Sequence, residues 1–193
     1  QRQMCIRDRW YCLFDCNGNS CSNIERNQTG KGQIVEGALF ATSLAFMNTH
    51  LIEQSITKKN RKAIGNRSPY AGPVDMVETK DGWIVVQVLG NTLFKRWANL
   101  VGADDLLDKE EFSTDINRGI NGEILSKKTS EWAAQYTNKE ALDLLANANV
   151  PAGPVNDLQD ALDDPHVKAM NFFQDLEYPG IPGKSPVMGL PVK

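Results

Sequence analysis

Four cysteines, Cys5, Cys12, Cys16 and Cys21, crowd the start of a chain of 193 residues, and none follows them. Thiolates at such density can bind zinc or close disulfides, so they are the first candidates for chemistry. Their spacing argues against both. No histidine stands near them in sequence, and no second cysteine pair appears at the interval a zinc site needs. Other candidates are thin. His50 and His166 lie far apart, each near a helix end, and read as ordinary surface histidines. Asp104, Asp105, Asp108, Glu110 and Glu111 read as a solvated face, and Asp163-Asp164 as a helix start. Gly30-Lys31-Gly32 lacks the further glycine and the Lys-Ser/Thr pair of a phosphate loop. Neither a metal site nor a resident cofactor is expected.

Any chemistry must therefore be read from the elements and the longer phrases they carry. A net charge of -3 and 41% hydrophobic residues suit a folded core and offer nothing to nucleic acid. The longest apolar stretch, Ile34 to Phe46, is interrupted by Glu36, Gly37, Thr42 and Ser43, so no membrane span is expected and a cytoplasmic location is. Ile34, Ala38, Ala41 and Ala45 recur at helical spacing and predict one helix from about Gln33 to Gln54. Thr57–Pro73 reads as a basic linker with Lys58, Lys59, Arg61, Lys62 and Arg67. Val74–Lys80 and Trp83–Leu89 flank Asp81-Gly82, a hairpin signal because Asp-Gly tolerates the positive φ of a tight turn.

A run of helices is predicted next. Asn91 caps one carrying Leu93, Phe94 and Trp97, ended by Gly102. Asp115 opens a second and Thr129 caps a third over Ser130–Tyr136. Thr137 and Glu140 form a capping box ahead of Leu144 and Leu145. Asn156 or Asp157 starts a short helix that stops at Asp164, and Pro165 begins another. Tyr178–Lys193, with four prolines and three glycines, reads as extended. The expected core of this α+β region contains Val86, Leu93, Phe94, Trp97, Leu144 and Leu145.

Four phrases are more specific than any single residue. They are Glu25–Val35 with its Thr-Gly-Lys-Gly-Gln run, Gly65–Pro73, Asp81-Gly82-Trp83-Ile84, and Asn149–Asn156 with Val-Pro-Ala-Gly-Pro-Val. In this order, over residues 25–193, they resemble the class III coenzyme A transferases (CaiB/BaiF type). That family also contains formyl-CoA transferases and α-methylacyl-CoA racemases. The resemblance implies a Rossmann-like α/β large domain built from both chain ends, interrupted by a small α+β domain, with two ring-shaped subunits interlocked as a homodimer. It implies acyl-CoA and carboxylic acid substrates, CoA moving through an aspartyl intermediate, and no permanently bound cofactor. A racemase of the same family is the alternative, as is a non-catalytic binding module.

Mapped onto this chain, the resemblance makes residues 25–56 the last helix of the N-terminal large-domain half. Residues 57–73 become a linker, 74–173 the small domain, and 174–193 a truncated return linker. The nucleophilic aspartate is expected upstream of the Thr-Gly-Lys-Gly-Gln run by two helical turns and a full helix. Asp15 lies too close to Gly30 for that, and Asn17–Asn23 reads as poor helix. The catalytic residue is therefore expected to be missing and the fragment inactive. In the linker, Asn66 and Tyr70 are the candidate substrate-binding residues. No run of glycines precedes the hairpin, which argues against the formyl-CoA transferase subgroup. Residues 1–24 are expected to be non-native or frameshifted. Met4–Arg9 resembles a translated sequencing adapter, and suitable codons for Asp15–Ile24, read one base later, spell an alanine-rich apolar helix.

Overall fold

The computed structural model describes residues 2–189, with side chains from residue 11 onward. Residues 190–193 of the expected return linker and the Cys5 side chain lie outside that range. The chain forms two compact units that divide between Ala63 and Ile64.

The N-terminal unit opens with helix α1, Arg2–Thr29. The expectation of poor helix at Asn17–Asn23 is overturned, because the polar side chains bond back to the helix instead of competing with it. Asn17 Nδ2 donates to the Leu13 carbonyl at 3.0 Å and Ser20 Oγ to that of Cys16 at 2.9 Å. Gly30, at φ 73°, ends the helix with its amide on the Arg26 carbonyl.

The predicted helix from Gln33 is also corrected. Residues 31–38 carry no regular structure, and helix starts only with α2, Leu39–Phe46. The irregular segment lies against α1 at two glycines: a Cβ on Gly37 would stand 2.8 Å from the Tyr11 ring, and one on Gly18 2.9 Å from Val35. Tertiary contact here overrides the helical spacing of Ile34 and Ala38. A second break falls at Met47, whose amide is shared between the Ser43 and Leu44 carbonyls, before α3, Asn48–Thr57.

The C-terminal unit is a mixed α/β fold around a small antiparallel sheet. Strands β1 (Val74–Glu78) and β2 (Trp83–Gln87) pair with Asp75 opposite Val86, and β3 (Ala152–Pro154) adds to the far side of β2. The hairpin is present, but its turn works differently from the expectation. Neither Asp81 nor Gly82 has a positive φ. A Cβ on Gly82 would stand 2.7 Å from the side-chain nitrogen of Asn138.

The core is formed on one face of this sheet. Val77, Ile84, Val86 and Val88 pack with Phe94, Trp97, Phe112, Leu125 and Leu145, all buried. Leu93 and Leu144 pack around them half-buried. Phe94 stacks on Trp97 at 5.5 Å and on Phe112 at 6.4 Å. Burying such a side chain stabilises by about 1.5–3 kcal/mol.

Helices α4 (Gly90–Val101), α5 (Asp115–Ile120), α6 (Gly122–Ala133) and α7 (Asn138–Asn147) surround the sheet, with 3-10 turns at Asp104–Leu106 and Glu110–Phe112. One expected cap shifts: that of α4 is Leu89, not Asn91. Helix α5 opens at Asp115 as expected, capped by Thr114, whose hydroxyl accepts the Asn117 amide at 3.2 Å. Thr129 is not a cap. It lies inside α6, buried, donating to the Leu125 carbonyl at 2.8 Å, because the apolar face of α6 begins seven residues earlier than the polar signal. The capping box of Thr137 and Glu140 forms as expected, Asp157 caps α8 (Leu158–Asp163), and Pro165 starts α9 (Pro165–Ala169). The tail is extended but doubles back as a hairpin of β4 (Phe173–Glu177) and β5 (Lys184–Met188).

Candidate functional site

Asn66 and Tyr70 lie on the segment that leads into β1. Gly65, at φ 73°, turns the chain, and Asn66 follows it exposed. Tyr70 is also exposed. The residues between them are tied to backbone. Arg67 Nε donates to the Ile64 carbonyl at 3.0 Å, and its terminal nitrogen lies 3.7 Å from Glu123. The Ser68 amide donates to the Val74 carbonyl at 3.0 Å, while the Tyr70 amide donates to Ser68 Oγ at 3.2 Å. Ala71, Gly72 and Pro73 are then buried, and the Pro73 carbonyl accepts the Val88 amide at 2.9 Å. What the segment presents outward is therefore an amide and a phenol on a backbone held at several points.

The floor under this segment was not visible in the sequence. Arg118 on α5 is 1% exposed, a fully buried guanidinium. Its Nε donates to the Phe112 carbonyl at 2.7 Å, and its two terminal nitrogens reach Asp115 at 2.8 Å, the Ser113 carbonyl at 3.2 Å and the Asn91 side-chain oxygen. The guanidinium also lies over the Phe94 ring, 4.2 Å from its centre. Asp115 in turn accepts the Gly90 amide on both oxygens at 3.0 Å, fixing the start of α4. Burial pulls the Arg118 pKa below the ordinary arginine range, and Asp115 opposes the shift. Arginine at a helix surface is commonplace, so nothing short of the fold distinguishes this one.

The segment rests on this floor through glycines. A Cβ on Gly119 would overlap the Pro69 carbonyl and stand 2.9 Å from the Ala71 nitrogen. A Cβ on Gly72 would stand 2.8 Å from the Arg118 carbonyl oxygen and from Leu125 Cδ1. The Asn149–Asn156 phrase has a different role. Asn149, at φ 55°, turns the chain out of α7, and the phrase becomes the third strand, with Gly153 opposite Val85.

Residues 64–73 carry donors, Asn66, Arg67, Ser68 and Tyr70, and no carboxylate, thiol or imidazole. Such a set can hold and orient a carboxylate or a thioester oxygen but cannot attack one. Asp15, the acid on α1 considered as a nucleophile, accepts from Asn19 Nδ2 at 3.4 Å. Cys12, Cys16 and Cys21 are exposed and free, and among the described residues no group of His, Cys, Asp and Glu could hold a metal ion. Also among the described residues, no helix is long and apolar enough to cross a membrane.

The family model for CoA-transferase family III matches residues 4–193. The chain belongs to this family. The match includes the cysteine-bearing stretch from residue 4. Among curated relatives, the chain is 31% identical to acetyl-CoA:oxalate CoA-transferase of Acetobacter aceti over 77% of its length and 38% of the relative's. It is 27% identical to succinyl-CoA:mesaconate CoA-transferase of Haloarcula hispanica, over 97% of this chain and 47% of that one. Among solved structures, a CaiB/BaiF family protein from Brucella suis superimposes with a TM-score of 0.73 at 25% identity, covering 95% of this chain and 52% of the other. The chain thus spans about half the length of these family members.

Proposed function

We propose that the full-length protein moves coenzyme A between an acyl-CoA thioester and a carboxylic acid. The observation that carries this reading is the family match over residues 4–193, joined by relatives whose names are all those of CoA-transferases. Those names pair the CoA with oxalate, mesaconate, glutarate or malate, each a dicarboxylate. A dicarboxylic acceptor is therefore the class to test first.

In the proposed reaction an aspartate carboxylate attacks the thioester carbonyl, giving a mixed anhydride and CoA thiolate. The thiolate attacks the aspartyl carbonyl, releasing the donor carboxylate and leaving an aspartyl-CoA thioester. The acceptor carboxylate attacks that thioester, forming a new anhydride and freeing the thiolate again. Thiolate attack on the acceptor's acyl carbon then forms the product thioester and restores the aspartate. No net proton is consumed. The aspartate belongs to the half of the enzyme upstream of these residues, and Asn66 and Tyr70 serve as donors to the bound acyl or carboxylate group. The full-length protein works as a homodimer of interlocked rings, with residues 74–173 as its small domain.

The test is direct. The 193-residue chain and the full-length protein are incubated with acetyl-CoA or succinyl-CoA and a panel of dicarboxylates, and exchange is followed by mass spectrometry. The full-length protein is expected to form new thioesters and the chain none, since loss of a nucleophile costs several orders of magnitude in rate. Turnover by the chain that vanishes in Asp15→Ala would place the nucleophile here and overturn its assignment upstream. Wash-out of deuterium beside the thioester carbonyl, without acceptor product, would identify a racemase instead.

A further inference from the structure

The geometry points to Gly119 as a positioning residue that sets the Asn66–Tyr70 segment from beneath, an inference resting on the reading that this segment faces substrate. Gly119 lies inside α5 and has no positive φ. Its conformation does not demand glycine, and a helix interior disfavours it. The close approach of the linker explains it: the Pro69 carbonyl occupies the place of a Cβ, with the Ala71 nitrogen 2.9 Å away. Gly72 meets the same turn from the other side, 2.8 Å from the Arg118 carbonyl.

These contacts run backbone to backbone, so no side-chain rotation can relieve crowding there. The helix beneath cannot yield either, because Arg118 is buried and bonded to Phe112, Ser113, Asp115 and Asn91. Tyr70 sits between the two residues that touch Gly119, Pro69 and Ala71. A group added at Gly119 therefore displaces Tyr70 without touching it. Displacement of an orienting group by about 1 Å lowers turnover up to a hundredfold.

The experiment compares Gly119→Ala with Gly122→Ala in the full-length protein. Gly122 is buried, but a Cβ there meets nothing within 4 Å. Hydrogen exchange is read on peptides covering residues 64–74 and 138–147, and kcat and KM are measured with acetyl-CoA and oxalate. Gly119→Ala is expected to speed exchange in 64–74 alone and to lower kcat about tenfold or more, with KM changed less. Gly122→Ala is expected to change neither.

If Gly119→Ala does not fold, Gly72→Ala crowds the same segment against α5 at the neighbouring Arg118 carbonyl and is read in the same way. Unchanged exchange and unchanged kcat in the crowded variant, while Tyr70→Ala or Asn66→Ala cripples turnover, would overturn the positioning role alone. Loosened exchange with kcat intact, in Gly119→Ala and in Tyr70→Ala alike, would overturn the placement of the segment at the substrate. A fall in kcat matched by Gly122→Ala would reduce the effect to general destabilisation and overturn the proposal.

Discussion

The two units handle apolar surface in opposite ways. In the C-terminal unit Ile84, Val86, Trp97, Leu125 and Leu145 are all at 0% exposure. Among the described residues of the N-terminal unit no large apolar side chain is buried, and Ile34, Phe40 and Ile56 are 75% exposed or more. Composition does not explain the contrast, since both units carry apolar residues at helical spacing. What differs is the second layer. Residues 74–154 supply a sheet and the helices that cover it, so each apolar face finds another. Helices α2 and α3 have apolar residues and little in their own unit to set against them. Exposed apolar surface of this extent is where self-association is expected.

The sharpest way to break this comparison is to truncate one side chain on each side of it. Trp97→Ala should destabilise the C-terminal unit by about 3–5 kcal/mol in a urea titration. Phe40→Ser should leave the same transition unchanged within about 0.5 kcal/mol. Equal losses would show that the N-terminal helices are packed as firmly as the core.

Association gives the next test. The purified chain is expected to self-associate or aggregate, and Phe40→Ser with Ile56→Ser to reduce this, both read by light scattering after size exclusion. A monodisperse monomer at high concentration would overturn that expectation.

Smaller effects sharpen the description of the stable unit. Thr137→Ala should cost about 1 kcal/mol in the same titration, since the hydroxyl caps α7 by accepting the Glu140 amide at 3.3 Å. The smallest effect should depend on pH. The Thr137 amide and hydroxyl, each 2.9 Å from the Glu140 carboxylate, hold its pKa below the ordinary glutamate range. A depressed folded-state pKa contributes stability above the unfolded value, about 4.3, that is lost as pH falls through the folded one. The melting-temperature gap between the protein and Glu140→Gln should therefore be constant above about pH 5.5 and close below about pH 4. A gap that widened on acidification would reverse the sign and discard the carboxylate's role.

What could be read in advance was local. The two hairpin strands, the Thr137 box, a cap at Asn156 or Asp157 and the Pro165 start each follow from a few adjacent residues, because a cap is closed by bonds within one turn of chain. Core identity was legible for the same reason: Phe94, Trp97 and Leu145 sit at the period of their own helices. Two misreadings fall where packing outweighs local signals, while Asn17–Asn23 is helical through bonds to its own preceding turn. Ile34 and Ala38 have helical spacing, yet the stretch before Leu39 lies against α1. Thr129 has the chemistry of a cap, yet it is carried into the interior of α6.

The candidate site divides along the same line. Its proposed donors, Asn66 and Tyr70, were chosen from the phrase they belong to. The support under them could not be read that way. Arg118, Gly119 and Gly72 acquire meaning only when residues some fifty positions apart in the chain are brought to within 3 Å. A glycine chosen for close approach looks, in sequence, the same as one chosen for flexibility. Short-range periodicity and capping determine which elements form. The burial of one charge and the meeting of two backbones, decided only by the tertiary structure, determine where those elements hold the residues that would meet substrate.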